Sequence, residues 1–447
     1  MSAVVDHRSV SSILKSRILS PLASSDPDAE DAFYVADLGE VVRQHTQWKE
    51  LLPRVEPFYA IKCNPDPLVI RTLASLGTGF DCASKGEIEM VMDAGVDPSR
   101  VIYANPCKQT SHIRHANNRG VKVMTFDNAD ELVKVKQIMP DAKMVLRILT
   151  DDSRSVCRFG VKFGASLSVV PSLLRKAIEL NIEVIGISFH VGSGCFDASA
   201  FADAVALARK AFDIGKALGF DFQLLDVGGG FPGRNNNGLQ FPDIAAVLGP
   251  AIDHHFPDSN VHVIAEPGRY FVSSAFTLAV NIVARRVVPR DANTGTTKAQ
   301  DANAKHESDL SMDTVSHQDG DEVIGNDHPF FMYYINEGMY GSFNCITFDH
   351  AVVKAQPLVR GGKFLYTSTS SQDAAKATSD TSLFPCSIWG PTCDSIDCIG
   401  RDCVLPQMNV GDWLYFANMG AYTVAAASPF NGFKLVRSIY TDTAQSS

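Results

Sequence analysis

Residues 56–67 read EPFYAIKCNPDP. Phe58, Tyr59, Ala60 and Ile61 form an apolar run of buried-strand character that ends in Lys62, just before Cys63-Asn64-Pro65. An ammonium at the end of a buried strand is costly unless it is paired or loses its charge. Two readings follow from this stretch alone. Lys62 snorkels past the strand end into solvent, or it is an amine nucleophile held where a carbonyl compound can condense with it.

Outward from this run, the same pattern recurs up to residue 272. The further apolar runs are GFDCAS (79–84), VIYANP (101–106), VMTFDN (123–128), MVLRIL (144–149), IGISFHVGSG (185–194), LLDVGGG (224–230) and VHVIAEPGR (261–269). Helix-like segments such as SKGEIEMVMDAG and LVKVKQIM lie between them. Alternating strands and helices imply a parallel sheet, and eight such units imply a closed (β/α)8 barrel of the TIM type. An open doubly wound sheet is the alternative, but no GxGxxG follows the first strand. Beyond residue 275 the helical period fades. AFTLAVNIVARRVV, FFMYYINEGMYGSF, DWLYFANMGAYTVAAA and FKLVRSIY are β-prone and predict a mostly antiparallel, β-sandwich-like domain. The division expected is a barrel over 38–275 and a β domain from 1–37 plus 276–447, with AFYVADLGEVV supplying the first strand of the latter. Two polar inserts, 290–328 and 367–382, lack apolar residues to bury and are expected to be disordered.

The bulk properties exclude several classes. A chain of 447 residues fits two domains better than one. The formal net charge is -10 and no basic stripe is present, which argues against a nucleic-acid partner. No apolar stretch approaches the length of a bilayer span. The N-terminal segment lacks a signal-peptide core and is followed by acidic SSDPDAEDAF, so a cytoplasmic location is expected. The ten cysteines are too scattered for a disulfide scaffold. Cys386, Cys393, Cys398 and Cys403 cluster, but at wide spacings and with no histidine among them, so no metal site is expected.

In a barrel, reactive groups sit at the C-terminal ends of the strands. Here those ends carry Lys62, Asp81, Arg147, His190, Gly228-Gly229-Gly230 and Glu266-Pro267-Gly268-Arg269. Each has a plain structural explanation by itself: a core histidine, a helix cap, a tight turn. Their convergence on one rim is the signal. The glycine turns after the seventh and eighth runs, with Arg269 and with Ser193 from the sixth, are suited to a phosphate. A phosphate site beside a lysine nucleophile matches pyridoxal 5'-phosphate, which carries both a phosphate and an aldehyde. Glu266 is then the acid for the pyridine nitrogen and His190 the group lying against the ring.

The motifs PFYAIKCN, GFDCASKGEIE, RFGVKFG, HVGSG, DVGGGFPG, EPGRYFV, WGPTCDSIDCI and NMGAYTVAAASPFNGF occur in one order over residues 30 to 437. Together they resemble the eukaryotic ornithine decarboxylase family of barrel-type, pyridoxal-phosphate-dependent enzymes. The resemblance implies a barrel followed by a β domain that the N-terminal strand joins. It implies that Lys62 is the lysine that bonds the cofactor, Glu266 the pyridinium partner and His190 the stacking histidine. Ser193, Gly229, Gly230, Gly268, Arg269 and Tyr422 resemble the phosphate contacts, and Asp81, Glu87 and Arg147 a polar group that orients lysine and ring. Cys393 resembles the thiol that protonates the carbanion, Asp394 the carboxylate that receives the substrate's distal amine, and Phe430 a further wall of that pocket. The family draws these last three from a neighbouring subunit, which implies a homodimer, with Lys162 and Asp397 as an ion pair between subunits.

One departure stands out in YYINEGMYGSFNC (333–345). Glu337 occupies a position where the resembled family carries aspartate, also a ligand of the distal ammonium. The longer side chain is expected to shorten the pocket, which leaves ornithine, lysine, arginine or a modified diamino acid as substrates. No tyrosine contact with substrate is expected from the preceding position, 336, which holds asparagine (Asn336). Two other functions share the fold. A racemase needs a second base, usually tyrosine, where this chain has Cys393. A silent regulatory homologue commonly loses cofactor or thiol residues, whereas Lys62, Glu266, Arg269, Cys393 and Asp394 are all present.

Overall fold

The computed structural model describes residues 5–20, 26–233, 238–288, 329–367 and 382–446. Each of the eight apolar runs supplies one strand of a closed parallel barrel: β1 (Val55–Ala60), β2 (Gly79–Cys82), β3 (Val101–Tyr103), β4 (Val123–Phe126), β5 (Lys143–Arg147), β6 (Glu183–Ser188), β7 (Leu224–Asp226) and β8 (His262–Ala265). Ring closure is made by β8 on β1, with Ala265 opposite Pro57. The barrel interior is filled by Phe58, Ile102, Val145, Leu224 and Ile264, which pack on one another. Phe58 takes so much of this space that a Cβ at Gly79 would stand 2.6 Å from its ring. That close approach is why the second strand opens on glycine.

The helices between strands start where short polar side chains can satisfy free N–H groups. Asp66 accepts the N–H groups of Leu68 and Val69 ahead of helix Pro67–Ser75, with proline at its first turn. Ser84 does the same for Lys85–Asp93 and Asn128 for Ala129–Ile138. The helices lay faces such as Val69, Ile70 and Leu73 onto the barrel wall.

The second body is built on one long strand, Phe276–Val288, which begins directly after the last barrel helix. Its first half pairs with Phe33–Asp37 and Trp413–Phe416, and its second half with Phe330–Ile335, all antiparallel. The sheet is mostly antiparallel, with parallel pairs where Arg437–Thr441 meets Phe33–Asp37 and where Leu383–Trp389 meets Phe330–Ile335. The N-terminal segment thus does contribute Phe33–Asp37, although a two-residue strand, Val5–Asp6, precedes it. The helix Val10–Leu19 was not legible as a separate element, because its apolar stripe is narrow: Ile13 and Leu14 alone are buried, under the outer face of the sheet. The inserts 290–328 and 367–382 lie outside the described residues, Thr367 and Ser382 excepted. Among the described residues no helix is long and apolar enough to cross a membrane.

Two features carry the barrel mouth. The loop at 419–422 of the second body sits on the turn after Lys62: Tyr422 N–H donates to Cys63 O (2.9 Å) and Asn64 Nδ2 to Gly420 O (2.9 Å). Beneath the glycine turns lies Trp48, fully buried, stacked on Phe241 (5.0 Å) and edge-on to Phe231 (4.8 Å) and Tyr270 (5.3 Å). Its indole N–H donates to Val55 O at 2.8 Å. Phe231 follows Gly230 and Tyr270 follows Arg269, so Trp48 supports both turns from below. Trp48→Ala is expected to cost roughly 3–5 kcal/mol. Urea unfolding followed by circular dichroism measures this, and a loss well below that range would mean the ring is not the support described.

Candidate active site

The strand β1 runs into a 3-10 turn, Ile61–Cys63. The turn buries Ile61 and Cys63 and aims Lys62 into a small cavity at the C-terminal rim, shared with His190, Ser193, Gly230, Glu266, Arg269 and Tyr422. The Lys62 side chain keeps 39 % of its surface and lines this cavity. Its Nζ donates to Asp81 Oδ2 at 2.6 Å, so it does not snorkel outward. Asp81 is brought there by pairing of β2 on β1, with Asp81 opposite Ala60, and its Oδ1 has no hydrogen-bond partner among the described residues. Burial alone would push the ammonium down. The carboxylates of Asp81 and Glu266, with the Tyr422 hydroxyl, outweigh that and hold it above the ordinary lysine range.

Further carboxyls crowd the same end. Glu87 accepts Ala83 N–H at 2.5 Å, and burial, aided by Asp81, raises its carboxyl. Glu266 is raised well above its ordinary value by burial and by Asp226 and Asp81. Asp226, at the end of β7 and fully buried, is raised to about 7 by burial. Its Oδ1 accepts Gly228 N–H at 2.9 Å, and its carboxyl is hydrogen-bonded to that of Glu266. Two acids facing each other in a dry site do not both ionise, so the Asp226–Glu266 pair retains a proton. Asp226 was missed in the sequence reading, although it stands only two residues before the glycine run.

His190 is neutral: burial, Arg147 and Lys62 in that order push its pKa well below the ordinary value. Gly192 N–H donates to its Nδ1 at 2.9 Å, so the ring proton sits on Nε2. Phe159 meets the ring edge-on at 4.9 Å. Arg147, at the end of β5, lies over the Phe163 ring at 5.2 Å. The opposite end of the cavity is cationic. Arg269 donates to Ser193 Oγ (3.3 Å) and lies over the Tyr422 ring (5.0 Å). It also makes a two-pronged pair with Asp349 at 2.7 and 2.5 Å, a partner nothing in the sequence signalled. Gly230, at φ +105°, passes so near Gly192 O that a Cβ would stand 2.6 Å from it. Gly268 is packed on Cys63, and Gly229 on His190 Nε2.

The remaining candidates form a second group outside this cavity. Glu337, Phe430, Tyr340 and Thr392 line a cleft of the β domain. Cys393 is exposed, and Asp394 is hydrogen-bonded to Tyr340. Two of these acids are engaged within the chain. Glu337 lines the cleft, and its carboxylate accepts the Ser342 N–H of its own loop. It is buried, which raises it to about 7 against that hydrogen bond. Asp397 is likewise turned onto its own loops. It is 1 % exposed and accepts Met339 N–H (2.7 Å), Thr392 N–H (3.0 Å) and the Thr392 hydroxyl (2.6 Å) within its own chain. Lys162 is exposed, over the Phe163 ring at 4.9 Å. Position 336 bears no tyrosine and offers the cleft no phenol. Asn336 borders the cleft, but its amide is engaged elsewhere: Nδ2 donates to Glu30 O (2.6 Å) and Oδ1 accepts Asn281 N–H (2.9 Å).

Residues 38–273 match the family model described as "Pyridoxal-dependent decarboxylase, pyridoxal binding domain". The chain is 52 % identical over 411 residues to ornithine decarboxylase of Rattus norvegicus, covering 92 % of this chain and 80 % of that one. It is 48 % identical over 411 residues to antizyme inhibitor 2 of Xenopus laevis, covering 92 % and 81 %. Among solved structures it is similar to the arginine decarboxylase of Paramecium bursaria Chlorella virus, at TM-score 0.79 and 32 % identity, covering 96 % of this chain and all of that one.

Asp81→Asn removes the charge that holds Lys62 as an ammonium. Reductive alkylation of Lys62 by a small aldehyde, followed by peptide mass spectrometry across pH, reports this directly. The midpoint is expected to fall by roughly 1–3 pH units in the variant. An unmoved midpoint would show that the ion pair does not control the amine.

Proposed function

Because the chain belongs to the family of pyridoxal-dependent decarboxylases, we propose that it decarboxylates a basic L-amino acid, L-ornithine first, to the diamine and carbon dioxide. The observation that carries this reading is the polarised cavity, with an amine among carboxyls at one end and Arg269, Ser193 and Tyr422 at the other. Those residues fit pyridoxal 5'-phosphate. Asp81 Oδ1 is a buried acceptor without a partner among the described residues, and the donor set at the cationic end is that of a phosphate site. When bound, the cofactor supplies an aldehyde that condenses with an amine and a protonated ring that takes up the electron pair left behind by carbon dioxide.

The chain's own residues divide the remaining work. Lys62 Nζ holds the aldehyde end, with Asp81 keeping it in place between cycles. Glu266, backed by Asp226, is assigned to the ring nitrogen, where a carboxylate keeps the ring protonated. Neutral His190 and Arg147 confine the ring, and Glu87 anchors the turn after β2. Ser193, Gly229, Gly230, Gly268, Arg269 and Tyr422 take the phosphate. Cys393 Sγ is assigned to deliver a proton to the substrate's α-carbon, and Asp394 to receive its distal ammonium, with Phe430 as a wall.

We assign Cys393, Asp394 and Phe430 to the active site of a second copy of the chain. They lie outside the Lys62 cavity, and residues 428–435 run over the surface with Phe430, Phe433 and Leu435 exposed. The ten thiols are free, consistent with a cytoplasmic enzyme. A second reading, lysine or arginine as the preferred substrate, is favoured by Glu337, whose carboxylate is turned onto Ser342. A silent homologue is disfavoured by the intact set at Lys62, Glu266, Arg269, Cys393 and Asp394.

Carbon dioxide release from ornithine, lysine and arginine, with wild type and Glu337→Asp, tests substrate and specificity together. Ornithine is expected to lead, and a modest shift in kcat/KM on restoring aspartate, within the factor of about 10–200 that one methylene can supply, is expected. No release from any of the three by cofactor-loaded protein would overturn the activity. Cys393→Ala is expected to slow turnover and divert part of the flux to transamination, read as keto product. Mixing Lys62→Ala with Cys393→Ala protein is expected to restore activity through mixed dimers, and failure to do so would place Cys393 in its own chain's site.

A further inference from the structure

Tyr340 stands in the turn between strand Phe330–Ile335 and the short helix Asn344–Phe348. Its hydroxyl donates to Asp394 Oδ2 at 2.6 Å. Its ring stacks on Phe430, with centroids 4.1 Å apart and planes at 22°. Its carbonyl accepts Ser428 N–H at 2.8 Å. One residue therefore joins the three loops that bear Glu337, Asp394 and Phe430.

We propose that Tyr340 is a positioning residue for substrate specificity, holding the Asp394 carboxylate at the angle in which it receives a distal cation. This rests on the reading of Asp394 given above. Three observations separate this role from one of holding the loop together. The loop 390–397 is already clamped by buried Asp397, which accepts the N–H and hydroxyl of Thr392 within the loop and Met339 N–H from the facing loop, none of them a bond of the Tyr340 side chain. Asp394 Oδ1 is fixed by Ile396 N–H (3.1 Å), so the Tyr340 bond sets the direction of the second oxygen and not the course of the backbone. Glu337, the carboxylate of the adjoining cleft, is engaged with Ser342 and is not free to share the task. A hydrogen bond near the surface adds little to folding, but it restricts a charged side chain to one rotamer, which is what recognition of a single ammonium needs.

The bond also sets the pH range of the carboxylate. The Tyr340 hydroxyl first, and Ile396 N–H second, hold Asp394 below the ordinary carboxylate range. The titratable groups around it are Tyr340 from the facing loop and Cys393 and Asp397 from its own, with Glu337 and Lys434 lining the adjoining cleft. A depressed carboxylate keeps its charge, and its hold on a cation, until pH falls through the lowered value. Removing the hydroxyl moves that loss to higher pH.

Tyr340→Phe removes one oxygen and keeps the stacking ring. kcat and KM for the best amino acid of the panel above are measured over the acid range, with Asp394→Asn alongside. The expected result is a KM raised about tenfold, in line with loss of a hydrogen bond to a charged group, with kcat held within about twofold and the acid limb of kcat/KM displaced upward in pH. An unchanged KM and acid limb in Tyr340→Phe, while Asp394→Asn raises KM, overturns the role of Tyr340 and leaves that of Asp394 standing. An unchanged KM in Asp394→Asn overturns both. Equal losses in kcat and kcat/KM at every pH, with no displaced limb, would mark Tyr340 as structural only. Phe430→Leu, which keeps the hydroxyl and removes the stack, is expected to raise KM without moving the acid limb. A limb moved as far as in Tyr340→Phe would overturn the assignment to the hydroxyl.

Discussion

An ammonium in a nearly dry cavity needs a carboxylate within reach, and the contact between Lys62 Nζ and Asp81 Oδ2 at 2.6 Å meets that need. Its geometry is set by the barrel. Lys62 leaves β1 through a one-turn 3-10 segment, and Asp81 is delivered by the β2 register that sets it opposite Ala60. A one-residue slip between these strands would turn Asp81 to the other face of the sheet and leave the amine alone. Closure of the ring forbids such a slip, because β2 cannot move without dragging six further strands. The fold thus acts on the chemistry through register, and the buried Phe58 ring against Gly79 locks that register at the same pair of strands.

From that contact the cavity acquires its polarity. Carboxyls collect around Lys62, namely Asp81, Glu87, Asp226 and Glu266, each from a different strand end or helix start. Arg269 and Ser193 occupy the far end. Neutral His190 sits between, its tautomer fixed by Gly192 N–H. A charged imidazole there would be buried and would face Arg147 and Lys62, which is why its proton affinity falls. Arg269 meets the same constraint with Asp349, which holds the guanidinium as Asp81 holds the amine. Each buried cation is thus supplied with its own anion, and each lies where an anionic or carbonyl group of a small ligand can displace or join that anion.

The barrel was legible because its signal is local and repeated. Eight apolar runs of strand length, each ending in a polar or glycine-rich turn, map onto eight strands, and the residues at their ends meet on one rim. The site residues on that rim followed from topology alone. What was not legible depends on contacts between segments far apart in the chain. Asp349 reaches Arg269 across 80 positions, and nothing near it marks it as an ion-pair partner. The inward turn of Asp397 depends on Gly338 and Gly390, which leave room for its carboxylate: a Cβ at either would lie within 2.3 Å of it. The fate of Glu337 depends on Ser342, five residues on, whose N–H its carboxylate accepts.

That last case carries a general point about reading charge from sequence. Asp394 and Glu337 are acids of two adjoining loops that Tyr340 joins, and by residue type they are equivalent ligands for a cation. Their surroundings make them different. Glu337 is buried and spends its hydrogen-bonding capacity on its own loop, so its raised proton affinity makes it a poor counter-ion near neutrality. Asp394 lies near solvent with donors on both oxygens, so it stays ionised and aimed. A conservative exchange of aspartate for glutamate therefore need not conserve charge at the point of use. It can move the carboxylate from the ligand to the backbone, and leave recognition to the one acid whose neighbours keep it outside.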